Sequence, residues 1–257
     1  MLRLLYKTYQ IFILIPIVVL ITIWAGSTMT IMCPITGWLK KLLPFSLGIM
    51  TRPDWWGSFA PRIWGKVIIR TSLLPVEVHG RENIKPGISY VFTANHQGQY
   101  DILLVCGYLG AEIRWMMKRA LEKVPFLGIG CKYAGFIFVD KGNAGKVRAT
   151  YRRAEKALEG GASIMVFPEG SRTKDGNIAP FRRGAFTLAD ELQLPIIPMT
   201  INGSYTVKPR GRILIDYHKL SLTIHPAIYP TSKGPENIER LKTESYNSIA
   251  SGLHPND

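Results

Sequence analysis

Two side chains in the stretch Asn95–Asp101 could carry acid–base chemistry. His96 stands five residues before Asp101, with Gly98 between them. Positions i and i+5 do not share a face of a straight helix, but a turn at Gly98 would fold the carboxylate back onto the imidazole. Such an aspartate fixes the tautomer of the histidine and stabilises the imidazolium that forms. The pair could therefore serve as a general base, or Asp101 could hold a histidine at a strand end for structural reasons alone.

The same stretch contains no serine or cysteine that could act as a nucleophile. The simplest chemistry is therefore general-base catalysis, in which His96 removes a proton from a hydroxyl that the substrate brings.

The flanking segments predict that His96 lies where a strand ends and a helix begins. The apolar run 88–94 precedes it and predicts a buried strand, and the run 102–105 could open a helix. In open α/β sheets, ligands usually bind at such strand ends.

Apolar and alternating runs predict a domain in which strands and helices follow one another. We expect an α/β fold with a mixed sheet flanked by helices, preceded by N-terminal membrane-associated helices. The predicted strands are 76–80, 88–94, 113–117, 135–141, 163–167, 196–201 and a half-buried 220–224; the predicted helices are 118–123, 147–161, 186–192 and 236–253.

Composition narrows the possible partners. The chain has 257 residues and a formal net charge of +14, which favours an anionic partner such as nucleic acid, a membrane surface or a phosphorylated substrate. The basic residues are scattered and form no known nucleic-acid motif, so we expect no nucleic acid. Three cysteines without a C-x-x-C pair predict neither a disulfide framework nor a zinc site.

The N-terminal segment predicts membrane association. Residues 8–39 carry no charge, and 9–29 supply the roughly 20 apolar residues of a membrane-spanning helix. A cleaved signal peptide is the competing interpretation. Residues 34–75 mix Trp with Lys and Arg, which suits the headgroup level of a bilayer, although these aromatics could also pack onto the domain. We therefore predict an anchoring region, 1–75, and an α/β domain, 76–257.

Four blocks stand in order along residues 76 to 205. They are Asn95-His96-x4-Asp101, Gly135-x-x-Phe138-Val139-Asp140-Lys141, Phe167-Pro168-Glu169-Gly170-Ser171-Arg172 and Ile197-Pro198. Together they resemble the glycerolipid acyltransferase family, most closely the 1-acylglycerol-3-phosphate acyltransferases. The first and third blocks, about seventy residues apart and both at predicted strand ends, make the resemblance specific.

The resemblance implies an O-acyltransferase that moves an acyl chain from a thioester to the sn-2 hydroxyl of 1-acyl-glycerol-3-phosphate. His96 would be the base and Asp101 its partner. Glu169, Gly170 and Arg172 would match the family's acceptor-binding block, and Lys118 a second phosphate-binding position. The second block usually ends in Arg and here ends in Lys141, which keeps the charge but loses the bidentate geometry.

The same resemblance implies acyl-CoA or acyl-carrier protein as donor, lysophosphatidic acid as acceptor, and no metal or organic cofactor. It also implies a place on the inner membrane with the active site on the cytoplasmic side. Backbone N–H groups near Gly98 or Gly170 are candidate donors to the tetrahedral oxyanion. A different lysophospholipid acceptor, or a membrane lipid-ester hydrolase that uses the same His/Asp pair, stays open as an alternative.

Overall fold

One seven-stranded sheet forms the centre of the molecule. The computed structural model describes residues 1–42, 53–124, 127–139, 144–158 and 161–254. The strands are β1 (Val76–His79), β2 (Val91–Ala94), β3 (Ile113–Lys118), β4 (Ile137–Val139), β5 (Ser163–Val166), β6 (Ile196–Asn202) and β7 (Leu220–Ile224).

The sheet is mixed, with order β1-β7-β6-β2-β5-β3-β4. The five strands from β6 to β4 are parallel, β7 is antiparallel to β6, and β1 is parallel to β7. The carboxyl ends of β2, β3, β4, β5 and β6 therefore meet at one edge. The predicted mixed α/β class is confirmed.

Helices cover both faces of the sheet. They are α1 (Leu2–Tyr9), α2 (Ile15–Leu42), α3 (Pro53–Thr71), α4 (Tyr100–Tyr108), α5 (Leu127–Tyr133), α6 (Ala144–Leu158), α7 (Gly184–Leu192), α8 (Ser204–Val207) and α9 (Pro235–Ser251). The α-helix predicted at 118–123 is wrong, because Lys118 ends β3 and residues Arg119–Lys123 form a 3₁₀ turn.

Burial follows the position of each strand. The central strands β2, β5 and β6 are buried along their whole length, as expected of parallel strands covered on both faces. The prediction of a half-buried β7 is wrong at Ser221, which is 5% exposed because β7 lies between β1 and β6 rather than at the edge.

The N-terminal segment is one long helix with a local irregularity. A π-helical turn, Gln10–Leu14, joins α1 to α2. It ends two residues before Pro16, which has no N–H to bond the preceding turn. Residues Leu2–Leu39 have a mean hydropathy of 2.4 over the most apolar window, and only 11% of that window is buried, so this helix is long and apolar enough to cross a membrane.

The helix also packs on α3, on the residue that follows α3, and on the α/β domain. Tyr6 donates from its hydroxyl to the Ser72 carbonyl at 2.7 Å, and Trp64 donates from its indole to the Thr22 hydroxyl at 2.9 Å. The Gln10 side chain forms two 2.8 Å hydrogen bonds with the backbone of Ile215. In α3, Ile68 and Ile69 are buried in the main core. Residues within 1–75 thus contribute to the packing of the domain.

Candidate active site

The histidine lies just beyond the carboxyl end of β2, as predicted. The Asn95 amide oxygen accepts the Ile201 N–H, and its amide nitrogen donates to the Ile201 carbonyl, both at 2.8 Å. These bonds continue the β2–β6 ladder through a side chain after Ala94 has ended the strand. They fix the backbone from which His96 projects.

His96 and Asp101 are in direct contact. Nδ1 of His96 lies 2.7 Å from Oδ2 of Asp101, and the two side chains are 14% and 0% exposed. A carboxylate can only accept hydrogen bonds, so Nδ1 carries the proton and donates it. Nε2 then keeps the lone pair that a general base needs. The fold-back predicted from the five-residue spacing is confirmed.

Glycine is needed at position 98 because Ser204, on α8, lies very close to its Cα. A Cβ at this position would lie 2.5 Å from the Ser204 hydroxyl and 2.7 Å from the Ser204 carbonyl oxygen, on α8. Its amide donates to Asp101 Oδ2 at 2.8 Å. A residue without a side chain therefore lets the loop close onto α8 and bring Asp101 beneath the imidazole.

Phe167 holds the plane of the imidazole from the neighbouring strand. The two ring centroids are 3.9 Å apart with an interplanar angle of 7°, and Trp115 lies 5.5 Å beyond Phe167. Phe167 directly follows β5, which pairs with β2. The sequence contains this aromatic in the third block, but its role as a stacking partner of His96 depends on the strand pairing.

Glu169 binds backbone amides with both carboxylate oxygens. Oε1 accepts the N–H of His96 at 2.6 Å, and Oε2 accepts the N–H of Ala179 at 2.9 Å. The residue is 5% exposed, and burial raises the pKa of its carboxyl, although the two N–H bonds oppose that rise. The geometry favours a positioning role; substrate binding by Glu169 stays a prediction.

Gly170 and Arg172 follow in the same loop. Gly170 has a φ of +75°, and a Cβ there would lie 2.9 Å from Nε of Arg182, so a glycine is favoured for both reasons. Arg172 is half-buried. Both oxygens of Glu169 accept backbone N–H groups, and among the described residues no ion pair joins them to Arg172.

Lys208 is a second cation near Arg172, and the sequence analysis did not single it out. It is half-buried directly after α8. Burial and the positive charge of Arg172 lower the pKa of Lys208. The two cations are therefore near enough to repel each other. Neither has a carboxylate partner among the described residues. Two unneutralised cations at a partly buried position form a suitable site for an anion.

Lys118 and Lys141 are the two remaining predicted site residues. Lys118 is exposed and ends β3, one strand beyond β5 at the same sheet edge as His96. Its role in phosphate binding stays a prediction. Lys141 lies outside the described residues.

The two glycine amides considered for an oxyanion hole are already bonded. The Gly98 N–H donates to Asp101, and the Gly170 N–H donates to the Phe167 carbonyl at 3.0 Å. In this conformation they do not point to a substrate oxyanion, so that expectation is corrected for these two groups.

Comparisons with known proteins agree on one family. Residues 75–202 match the family model described as Acyltransferase. The chain is 26% identical over 198 residues to a chloroplastic 1-acyl-sn-glycerol-3-phosphate acyltransferase of Brassica napus, covering 76% of this chain and 56% of the relative. It is 35% identical over 128 residues to the human 1-acyl-sn-glycerol-3-phosphate acyltransferase alpha, covering 49% and 45%. The chain thus spans about half the length of these relatives.

A solved structure extends the likeness to the whole fold. The crystal structure of the 1-acyl-sn-glycerophosphate (LPA) acyltransferase PlsC from Thermotoga maritima superposes with a TM-score of 0.68 at 26% identity. The match covers 91% of this chain and 93% of that one, so it extends well beyond residues 75–202. The chain therefore belongs to the acyltransferase family, through the domain that spans residues 75–202.

Proposed function

We propose that this protein transfers a fatty acyl chain from an acyl thioester to the free sn-2 hydroxyl of 1-acyl-glycerol-3-phosphate, giving phosphatidic acid. The observation that carries the proposal is the 2.7 Å contact between His96 Nδ1 and the buried Asp101. It leaves Nε2 as a base without any protein nucleophile beside it in the 95–101 loop. The names of the related proteins support the choice of acceptor.

The reaction needs one proton to move twice. Nε2 of His96 takes the proton of the sn-2 hydroxyl while that oxygen attacks the thioester carbonyl carbon. The tetrahedral intermediate then collapses, the C–S bond breaks, and the imidazolium returns the proton to the leaving thiolate. Asp101 stabilises the imidazolium between these steps. General-base catalysis of this kind is worth roughly 10²–10⁴-fold.

The acceptor phosphate would be held by Arg172 and Lys208, with Lys118 nearer the outer part of the sheet edge. A guanidinium binds phosphate through a planar fork, whereas an ammonium supplies a compact charge. Holding the phosphate also orients the nearby hydroxyl over Nε2, and such positioning raises the rate as well as the affinity. Lys141 stays a candidate for the same role.

We also propose that the N-terminal helix lies along the bilayer rather than crossing it. Gln10 bonds Ile215 of the α/β domain, and on either side of it Tyr6 and Thr22 bond Ser72 and Trp64, at the end of α3 and within it. A helix that crossed the membrane at these positions would draw the α/β domain into the hydrocarbon. The opposite face exposes large apolar side chains, among them Phe12, Val19, Leu20, Ile23 and Trp24. That arrangement suits an interfacial helix.

The cytoplasmic side is the proposed location of the active site. All three cysteines are thiols rather than disulfides, which fits a reducing compartment, and thioester donors such as acyl-CoA or acyl-carrier protein would reach the site there.

The test is product analysis with purified protein in detergent. Lysophosphatidic acid, lysophosphatidylglycerol and lysophosphatidylcholine are each supplied with acyl-CoA or acyl-carrier protein, and the products are identified by mass spectrometry. Phosphatidic acid should dominate and should disappear in His96→Ala. Release of free fatty acid without a diacyl product would make the protein a hydrolase, and preference for another lysolipid would replace the proposed acceptor.

A further inference from the structure

Polar side chains of the N-terminal helix bond segments that lead into the candidate active site. The Tyr6 hydroxyl donates to the Ser72 carbonyl, and the Tyr9 hydroxyl donates to the Thr71 carbonyl, both at 2.7 Å. The last carbonyls of a helix have no partner within it, so these hydroxyls satisfy carbonyls at the carboxyl end of α3. The position of Ser72 therefore depends on the N-terminal helix.

Ser72 extends this dependence to the first residue of α4. Its hydroxyl lies 2.7 Å from the Ile68 carbonyl and 2.7 Å from the Tyr100 hydroxyl, and Ser72 and Tyr100 are both buried. A carbonyl can only accept, so the single proton of the Ser72 hydroxyl goes to Ile68, and Tyr100 donates to Ser72. The start of α4 is thus hydrogen-bonded to the end of α3.

Tyr100 directly precedes Asp101, so the position of Tyr100 affects the geometry of the base. His96 projects from a backbone that Asn95 ties to β6, whereas Asp101 lies on α4 and accepts from His96 Nδ1 at 2.7 Å. A shift of the first turn of α4 would therefore change the distance between the two partners. Small displacements of positioned groups are costly for the rate, and the bond from Tyr100 to Ser72 opposes such a shift.

Gln10 has a corresponding contact on the other side of the site. Its side chain forms two 2.8 Å hydrogen bonds with the backbone of Ile215, and both residues are buried. The next residue, Asp216, donates its N–H to the Val207 carbonyl at 2.9 Å. Val207 is followed by Lys208, the cation proposed to hold the acceptor phosphate. Gln10 therefore fixes the loop that begins with Lys208.

We propose that Tyr6, Tyr9 and Gln10 are positioning residues of the active site. The two hydroxyls hold the base and its carboxylate in register, and Gln10 holds the cation of the acceptor site. The N-terminal helix then contributes to the reaction itself, besides any contact that it makes with a membrane. The inference rests on the proposed function for the roles of His96 and Lys208.

The first experiment is steady-state kinetics of the full chain in detergent, well below the Tm of each variant. Tyr6→Phe/Tyr9→Phe removes both hydroxyls and keeps the rings, including the edge contact of Tyr6 with Tyr217. It should lower kcat about tenfold and leave the KM for lysophosphatidic acid within about twofold. Gln10→Met should instead raise that KM about tenfold, since displacement of Lys208 weakens a charge-assisted hydrogen bond, and its kcat should fall less.

The difference between the two variants separates positioning from simple docking. If the N-terminal helix only docked on the domain, loss of either set of bonds would loosen the same helix and give the same kinetic pattern. The same pattern in both variants would therefore overturn the inference. Two controls should keep wild-type kinetics. Tyr229→Phe/Tyr246→Phe removes two hydroxyls near and within α9, and Thr36→Val removes a buried hydroxyl that bonds carbonyls of its own helix.

Tyr100→Phe tests whether the two hydroxyls act through the end of α4. Alone, it should lower kcat about as much as Tyr6→Phe/Tyr9→Phe. Added to that variant, it should cause little further loss, because groups that act through one contact are not additive. Losses that multiply would show that the hydroxyls do not act through Tyr100 and would overturn that half of the inference.

Hydrogen exchange, followed by mass spectrometry, tests the inference without any substrate. Exchange should become about 2- to 10-fold faster in the peptide around Gly98 in Tyr6→Phe/Tyr9→Phe, and in the peptide around Ile215 in Gln10→Met. Each variant should leave the other peptide unchanged. If the wild type forms no phosphatidic acid, the proposed function fails, and this local pattern still supports the positioning. Unchanged exchange in both peptides, or faster exchange of both in each variant, overturns it.

Discussion

At the scale of single residues, several groups hold His96, the proposed base, in place. His96 is bound by a carboxylate at Nδ1, by Glu169 at its backbone amide and by the face of Phe167. Two segments, the first turn of α4 and the loop after β5, therefore restrict His96. Arg172 and Lys208 do not touch this arrangement in the contacts described, and the phosphate of the acceptor is the ligand proposed for them.

The phosphate assignment predicts a selective kinetic defect. Arg172→Ala and Lys208→Ala should each raise the KM for lysophosphatidic acid about 10- to 100-fold, because a hydrogen bond to a charged group is worth about 1.5–3 kcal/mol. Both should also lower kcat, since the hydroxyl is less well oriented. The KM for the acyl donor should change little. Steady-state kinetics with each substrate varied in turn makes the measurement.

Lys174 provides the matched control for these variants. It lies in the same loop as Arg172 and is exposed, so Lys174→Ala should leave both KM values near those of the wild type. A larger effect on the donor KM than on the acceptor KM in Arg172→Ala would assign the arginine to the thioester side of the site.

At the scale of elements, much of the fold followed from local patterns, whereas the contacts between elements did not. The apolar run before Asn95 predicted that His96 follows the end of a strand. Gly98 predicted a turn that folds Asp101 back onto the imidazole. By contrast, Glu169 reaches the His96 amide across 73 positions, and Gln10 bonds Ile215 across 205. No local pattern encodes such pairings, nor the reversal that places β7 between β1 and β6. The nearness of Lys208 to Arg172 could not be predicted from the sequence for the same reason.

The close contact between the His96 loop and α8 predicts intolerance of any side chain at position 98. A methyl group in Gly98→Ala would overlap Ser204, including its backbone oxygen, and overpacking of this kind costs about 1–3 kcal/mol. Displacement of the loop should also reduce acyl transfer by at least about tenfold, since small misplacements of positioned groups are costly. Thermal unfolding and initial rates provide the two readouts.

Gly184→Ala is the control for that substitution. Position 184 opens α7, and a Cβ there meets nothing within 4 Å, so this variant should keep both stability and activity. If Gly98→Ala behaves like Gly184→Ala, close approach to α8 is not what requires glycine in the loop.

His225 joins β6 to α9 and makes the stability of that contact depend on pH. Its Nε2 lies 2.8 Å from the Thr200 hydroxyl, which itself donates to the Ile249 carbonyl. The ring is half-buried between these elements. Burial lowers its pKa below 6.5, since the charged imidazolium is disfavoured there.

The sign of the pH dependence follows from proton binding. The unfolded chain binds a proton at His225 more readily than the folded protein, so this residue's contribution is fully present above pH 6.5 and is lost as the pH falls from that value through the lower pKa of the folded state. We expect Tm to fall on acidification through this range and His225→Gln to flatten the fall. If the slope of Tm against pH is the same in His225→Gln as in the wild type, His225 does not cause the fall of Tm on acidification.

At the scale of the whole molecule, the N-terminal helix has two different faces. One face bonds the α/β domain through Gln10 and the α3 region through Tyr6 and Thr22, and the other exposes apolar side chains. The division into an anchor, 1–75, and a domain, 76–257, stays a prediction, but the anchor does not act as a detached tail, because Ile68 and Ile69 belong to the domain core.

Such a helix should keep the protein on membranes through apolar burial. We expect the full chain to stay in the membrane fraction after a high-salt wash and to leave it in detergent. Leu2→Cys and Trp38→Cys, both at exposed positions near the helix ends, should react with a membrane-impermeant thiol reagent from the same side. Labelling of the two positions from opposite sides would show that the helix crosses the bilayer.

The most direct test of the central claim is the rate of phosphatidic acid formation by His96→Ala, with the fold checked by circular dichroism. The account predicts a loss of at least about 10²–10⁴-fold in kcat with little change in the KM for lysophosphatidic acid, because the phosphate is held elsewhere. Asp101→Asn should be severe but less complete, since the imidazole keeps some of its positioning. A folded His96→Ala protein with near-normal kcat would contradict the assignment of His96 as the base.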